Sequence, residues 1–237
     1  MVHVPPQAPM VTLAFLGAAL LIAAGMAGTL YGALSKRPPL AIGSASLAAA
    51  VAIAYGLAWA GAAFATHEHI LAPGQTKYFC EIDCHLAYSL TRVERMTSIG
   101  AAGGHAPAGG SFLVVTMKTW FDPTTISPRR PLDARLWPNP REIFVMDRDR
   151  RRYRAIPGAT AALAKTGRAS TPMTEPLRPG ESYETTLVFD VPADAPEPRL
   201  FVGNIPAESA FIIGHESSPL ARKTWFSLGE RVSAGGR

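Results

Sequence analysis

MVTLAFLGAALLIAAGMAGTLYGAL (residues 10–34) and AIGSASLAAAVAIAYGLAWAGAAFA (residues 41–65) decide what kind of chain this is. Neither stretch contains Asp, Glu, Lys or Arg. A helix of about 20 apolar residues matches the hydrocarbon thickness of a bilayer, and a helix satisfies its own backbone polar groups where lipid cannot. The reading is an N-terminal transmembrane α-hairpin over residues 1–66, with helices at about 9–34 and 40–65 and a turn at 35–39. Residues 67–237 then form a separate domain. A cleaved signal sequence is the competing reading of the first run. Such a sequence carries a positive leading segment and a short apolar core. Here no Lys or Arg precedes Lys36, and the run is about twice as long as a signal core.

Charge sets the expected orientation. The turn Ser35-Lys36-Arg37-Pro38-Pro39 carries two positive residues, the segment before the first helix carries none, and the second helix exits through Thr66-His67-Glu68-His69. Positive residues in short loops stay cytoplasmic. Lys36 and Arg37 therefore put both chain ends outside a bacterial inner membrane, with the C-terminal domain in the periplasm or at the cell exterior. The helices are also rich in small residues, which let backbones approach in lipid. Ala24, Gly28 and Gly32 form such a ladder on the first helix, and Gly56 with Ala60 a shorter one on the second. These positions are expected to pack the two helices together, or to dock another membrane subunit.

The domain after residue 66 is ordinary in polarity. Two of the 23 basic residues lie in the hairpin turn, which leaves 21 against 18 acidic ones, a net charge of about +3. Nucleic-acid binding wants a concentrated basic face, and none is present. The run Arg148-Asp149-Arg150-Arg151-Arg152-Tyr153-Arg154 is interrupted by acid and reads as a polar turn between strands. Its alternative is a contact with anionic lipid or an acidic partner. Gly100–Gly110 reads as a flexible excursion, and Gly158–Pro176 as a loop whose alanine-rich start can form a short helix.

The remainder reads as strands. Lys77–Val93 is one long or two short segments, and Ser111–Phe121 alternates, with Leu113, Val115, Met117 and Thr119 on one face. Ile143–Met146, Tyr153–Ile156, Ser182–Val191, Arg199–Val202, Ala210–Ile213 and Lys223–Leu228 follow. Many short strands separated by turn signals argue an antiparallel β-sandwich or barrel. In Arg178-Pro179-Gly180-Glu181 the Pro-Gly pair reverses the chain, and Tyr183, Thr185, Leu187 and Phe189 then share one strand face. This turn, the strand ending Phe189-Asp190-Val191-Pro192 and the following Arg199-Leu200-Phe201-Val202 resemble immunoglobulin-like domains of bacterial surface proteins of unknown function. Cys80-Glu81-Ile82-Asp83-Cys84-His85 and Gly214-His215-Glu216-Ser217-Ser218 are similar to segments of a membrane-anchored group with the same plan. The resemblance implies an immunoglobulin-like fold and no particular reaction.

The two cysteines and their neighbours form the densest chemical constellation. One reading is a Cys80–Cys84 disulfide, since an extracytoplasmic compartment is oxidising. In a straight strand their Cα atoms would lie roughly 13 Å apart, beyond the limit of about 7 Å for a bridge, so a bend near Ile82-Asp83 is required. A second reading is a metal, copper above all, held by thiolate and imidazole from Cys80, Cys84, His85 and His215, with His67 and His69 nearby in sequence. A third is a pair of free thiols with a redox or metal-transfer role. The general plan is loosely similar to heme-copper oxidase subunit II, whose copper site uses the same Cys-x-x-x-Cys spacing. Its later ligands are not matched: Tyr88 and Thr91 stand where that family has His and Met, and Ile82 where it has Glu. His215 next to Ser217 lacks the Gly-x-Ser-x-Gly setting of a hydrolase nucleophile and reads as a loop histidine.

The expected function is a non-enzymatic, membrane-anchored accessory or interaction protein of a membrane complex, without cofactor. Its expected partners are the lipid bilayer and a membrane protein, with no nucleic acid. A copper-binding or thiol-redox protein using Cys80, Cys84 and His85 is the alternative. A reporter enzyme fused after Arg237 is expected to be active only in the periplasm; cytoplasmic activity would reverse the orientation and remove the argument for an oxidising compartment.

Overall fold

Small residues decide how the two apolar stretches pack. The computed structural model describes residues 2–3, 8–81, 84–99, 111–166, 168, 170–205 and 209–229. Helix α1 (Ala8–Leu34) and helix α2 (Pro38–Phe64) form an antiparallel pair. Lys36 takes a left-handed conformation (φ +52°), the Arg37 amide donates to the Gly32 carbonyl at 2.8 Å, and proline opens α2. This is a helix stop followed by a start whose first position needs no N–H partner.

Gly25, Gly28 and Gly32 of α1 lie against Ala48, Ser44 and Ala41 of α2; a Cβ on Gly32 would come within 2.6 Å of the Ala41 nitrogen. Gly28 and Gly32 thus sit in the seam. Ala24 does not: it is exposed, and Gly25 stands in the seam instead. Gly56 faces open space, Ala60 is half-buried, and the facing row on α2 is Ala41, Ser44 and Ala48. Both rows alternate three- and four-residue steps, the period that keeps one stripe in register along two nearly aligned helices. The uniform four-residue ladder expected from the sequence drifts off that stripe. Outside the seam, large apolar side chains point outward, among them Leu13, Leu20, Leu30, Ile53, Leu57 and Phe64. By length and composition both helices can cross a membrane, and the first lies near the N-terminus.

The chain divides into two compact units, and the division differs from a cut at residue 67. Pro6–Glu68 groups with Ile205–Lys223, while His69–Asn204 groups with the two ends of the chain. In the helical unit, the Tyr55 hydroxyl donates to the Phe211 carbonyl (2.8 Å) and the Trp59 indole N–H to the Ala210 carbonyl (3.0 Å). The Arg222 amide donates to Thr66 Oγ1 (2.7 Å). Residues 210–213, expected as a strand, are therefore turns. The carbonyls of Ala210 and Phe211 are taken by α2 rather than by a neighbouring strand.

The β-domain holds two five-stranded sheets. The first runs in the order β1 (Val2–His3), β3 (Thr76–Glu81), β4 (Cys84–Met96), β5 (Phe112–Phe121), β8 (Ser182–Asp190). The second runs β2 (His69–Leu71), β10 (Thr224–Ser227), β9 (Arg199–Asn204), β6 (Arg141–Met146), β7 (Arg152–Arg154). β1 pairs with β3 and β2 with β10 in parallel; the other ladders are antiparallel. β1 and β2 are three residues or fewer, too short for a period-two pattern to show in the sequence.

Alternation places the core. Leu86, Tyr88 and Leu90 of β4, Leu113, Val115 and Met117 of β5 and Phe189 of β8 meet Val145, Leu200, Val202 and Phe226 of the other sheet. Phe112, Val114 and Val188 face the opposite way and are covered by Ile99 and by Leu163 of the short helix α3 (Pro157–Ala164). The basic run after β6 is the expected polar turn: the Arg151 amide donates to Asp147 Oδ1, and Arg150 adopts φ +65°. At Pro179-Gly180 the glycine has φ +83°, the left-handed position that a turn with proline just before it requires. The strand that follows buries Phe189, half-buries Tyr183 and Leu187, and exposes Glu184. The Gly100–Gly110 excursion lies outside the described residues.

Phe189→Ala is expected to cost about 3–5 kcal/mol in denaturant unfolding, and Glu184→Ala within about 0.5 kcal/mol. A loss under about 1 kcal/mol for the phenylalanine would show that its ring does not anchor the core.

Candidate functional site

Register between β3 and β4 settles where the cysteines go. Glu81 stands opposite Cys84, and Cys80 opposite His85. Cross-strand partners share a face and successive residues alternate. Cys84 therefore points with Glu81, Phe79 and Lys77 into the domain, while Cys80 points outward with His85 and Tyr78. The expected disulfide is not formed: no bridge joins Cys80 and Cys84, of which Cys84 is buried and Cys80 half-buried. Opposite faces of one hairpin are the physical reason. The bend expected at Ile82-Asp83 lies outside the described residues.

On the outer face Cys80 Sγ lies 3.0 Å from His85 Nε2. The Tyr78 ring meets the imidazole edge-on at 6.2 Å between centroids, and the Tyr78 hydroxyl donates to Asp122 Oδ2 (3.1 Å). Backbone holds this group in place: the His85 amide donates to Thr125 Oγ1 (2.9 Å) and the Asp122 amide to the His85 carbonyl (3.3 Å). Asp122 caps the single 3-10 turn Pro123–Thr125 through the Thr124 amide. Burial works to raise the Asp122 carboxyl, but hydrogen bonds from the Thr124 hydroxyl and amide and from Tyr78, with the nearby His85 ring, hold it below its ordinary range.

The Cys80 thiol moves the other way. Burial, and then the Glu81 carboxylate, push it above its ordinary value. At neutral pH Cys80 is a protonated thiol, and Sγ and Nε2 share one hydrogen bond whose donor is set by the imidazole tautomer. The other ring nitrogen, Nδ1, is buried without a hydrogen-bond partner among the described residues, a cost of about 1–3 kcal/mol. A protonated thiol is a weak nucleophile. It is still a hydrogen-bond partner for imidazole and a soft ligand.

The expected four-residue metal set is not assembled. Cys84 is turned into the core, where Sγ donates to the Glu81 carbonyl at 3.5 Å. His215 belongs to the helical unit, and its Nδ1 accepts from the Ser217 amide at 3.0 Å. Among the described residues no three Cys, His, Asp or Glu side chains are grouped to hold a metal. Cys80 and His85 alone remain together.

Behind the hairpin lies a polar cluster that the sequence reading missed. Glu81 and Arg141 form an ion pair with both side chains almost fully buried. Asn139 donates to the other carboxylate oxygen, and Arg141 also donates to Asn204. The guanidinium lies 4.2 Å from the Phe79 ring centroid. Burial pushes the Glu81 carboxyl above its ordinary value, and Arg141 and Asn139 work against that rise. Lys77, also buried, donates from Nζ to the Val202 carbonyl (2.6 Å) and the Thr224 carbonyl (3.3 Å). The signal was present: Lys77 and Glu81 are charges at alternate positions flanking Phe79, so burying Phe79 buries them too.

No protein family and no curated protein sequence matches the chain. Among solved structures it is similar to a conserved hypothetical protein from Bacillus anthracis, with 16% identity over 53% of this chain and 86% of that one, at a TM-score of 0.40. It is also similar to the secreted protein MPT63 from Mycobacterium tuberculosis, with 12% identity over 68% and 98% of the two chains, at 0.40. YjhA from Bacillus subtilis matches with 10% identity over 66% and 98%, at 0.39. Likeness at that level supports no conclusion about what this chain does.

Unfolding without reductant is expected to expose two titratable thiols. In the native protein only Cys80 should alkylate, slowly at neutral pH and faster as pH rises toward its elevated pKa, while Cys84 should stay protected. No titratable thiol in the unfolded chain would show a Cys80–Cys84 bridge and a different register.

Proposed function

We propose that the chain is a non-enzymatic accessory protein of a membrane complex. Its two helices anchor it as a multi-pass protein in a bacterial inner membrane and present an immunoglobulin-like β-sandwich on the extracytoplasmic side. The observation that carries the reading is the surface of the helix pair. Glycine, alanine and Ser44 consume one narrow stripe of each helix in the seam, and the remaining circumference exposes leucine, isoleucine, methionine and phenylalanine. Apolar surface of that extent in water marks a membrane or partner contact. The packing of α1 on α2 through Gly25, Gly28 and Gly32 supports an anchor that keeps its first helix rather than a removed leader.

The interaction role is supported by the state of the reactive groups. The outward cysteine is held as a thiol, and three charged groups are buried inside the domain, Glu81 and Arg141 as an ion pair and Lys77 on backbone carbonyls. Such groups hold a domain in shape more readily than they turn over a substrate. A second reading, a thiol-redox or copper-handling protein, is favoured by one observation, the 3.0 Å approach of Cys80 Sγ and His85 Nε2. Thiol and imidazole together suit monovalent copper.

The readings separate in detergent extracts of membranes expressing the full chain. The accessory reading expects the protein to resist carbonate extraction and to migrate on native gels in an assembly larger than itself. Cys80→Ser and His85→Ala should leave that assembly intact. Stoichiometric monovalent copper on the purified protein, lost in both variants, would establish the second reading instead.

A further inference from the structure

We infer that the turn at residues 209–213 inserts into the lipid boundary beside α2, with Phe211 reaching the acyl chains; this rests on the membrane-anchor reading. α2 has 27 residues, which makes it about 40 Å long against a hydrocarbon layer of about 30 Å. Trp59 and Tyr55 lie five and nine residues before Phe64, so they sit about 8 and 14 Å in from that end of the helix. With the excess length shared between the ends, Trp59 falls about 3 Å and Tyr55 about 9 Å inside the hydrocarbon edge. Tryptophan commonly anchors a span near that edge with its polar atom toward the headgroups, and Tyr55 lies deeper.

Here those polar atoms are spent on protein. Trp59 Nε1 donates to the Ala210 carbonyl and the Tyr55 hydroxyl to the Phe211 carbonyl. Irregular backbone at membrane depth survives only where its polar groups find partners in protein, and these two carbonyls have them. The loop supplies more of its own. The amides of Ile212, His215, Ser218 and Ala221 each donate to the carbonyl three residues back, at 3.0–3.2 Å. Satisfying the backbone in this way frees the side chains to be apolar. Phe211 is 58% exposed and Ile212 and Ile213 are half-buried. Depth selects lipid as the occupant: the Phe211 carbonyl is held by a tyrosine about 9 Å inside the hydrocarbon edge, where an exposed ring meets acyl chains rather than water.

Photocrosslinking in the full chain tests this, with benzoylphenylalanine placed singly at Phe211, Leu57 or Lys118. The protein is reconstituted in vesicles of phosphatidylethanolamine and phosphatidylglycerol and read by mass spectrometry. Leu57 reports the span, and Lys118, exposed on β5, reports water. Phospholipid adducts at both 211 and 57, well above those at 118, are the expected result. Adducts at 57 with none above the 118 level at 211, or a protein–protein adduct at 211, would overturn the inference and leave the anchor standing. Absence of lipid adducts at 57 as well would overturn the anchor itself.

Discussion

The β-domain depends on a buried charge pair between its two sheets. Glu81 comes from β3 of one sheet and Arg141 from β6 of the other, and both are almost sealed from water. A buried ion pair is tolerable only when its geometry is good and its remaining donors and acceptors are used. Here Asn139 takes the second carboxylate oxygen, Asn204 takes a guanidinium nitrogen, and Phe79 lies against the guanidinium face. Lys77 repeats the device four residues earlier, crossing to two carbonyls of the opposite sheet. Removing one partner from such a pair leaves the other charge buried alone, a loss of about 3–5 kcal/mol. The pair therefore dictates which face of β3 looks inward, and the outer cluster follows from that choice.

With Lys77, Phe79 and Glu81 committed to the interior, Tyr78 and Cys80 have only the outer face. The hairpin register then sets His85 beside Cys80 and drives Cys84 inward. Burial first, and then the same Glu81 carboxylate that pairs with Arg141 across the sheets, raise the neighbouring thiol. The arrangement of the candidate site is thus a by-product of the inter-sheet clamp, coupled to it through adjacent residues of one strand.

The proposed membrane anchor puts a different constraint on the helical unit. In lipid, without water to solvate the backbone, every carbonyl and amide needs a protein partner, and close packing needs residues without bulk. Gly25, Gly28 and Gly32 answer the second requirement, and Tyr55 and Trp59 answer the first for a loop far away in sequence. The signal of that loop is short and apolar, which is why Ala210–Ile213 reads as a strand when its neighbours are unknown.

Residue chemistry alone determined the elements whose signal is local. Two uncharged apolar runs can hide their backbone only as helices, the alternation of Leu113, Val115 and Met117 can bury one face only as a strand, and Pro179-Gly180 can reverse the chain only as a turn. What lies between elements needed the tertiary structure. Cys-x-x-x-Cys spacing is the same whether the sulfurs face one another or opposite sides of a sheet, and only strand register distinguishes the two. A ladder of small residues at four-residue steps looks as plausible as one alternating three and four, until two helices have to run side by side. The partner of a carbonyl 150 residues away leaves no trace in local composition. Long-range pairing is decided by which buried polar groups must be satisfied together, and that is a property of the folded chain.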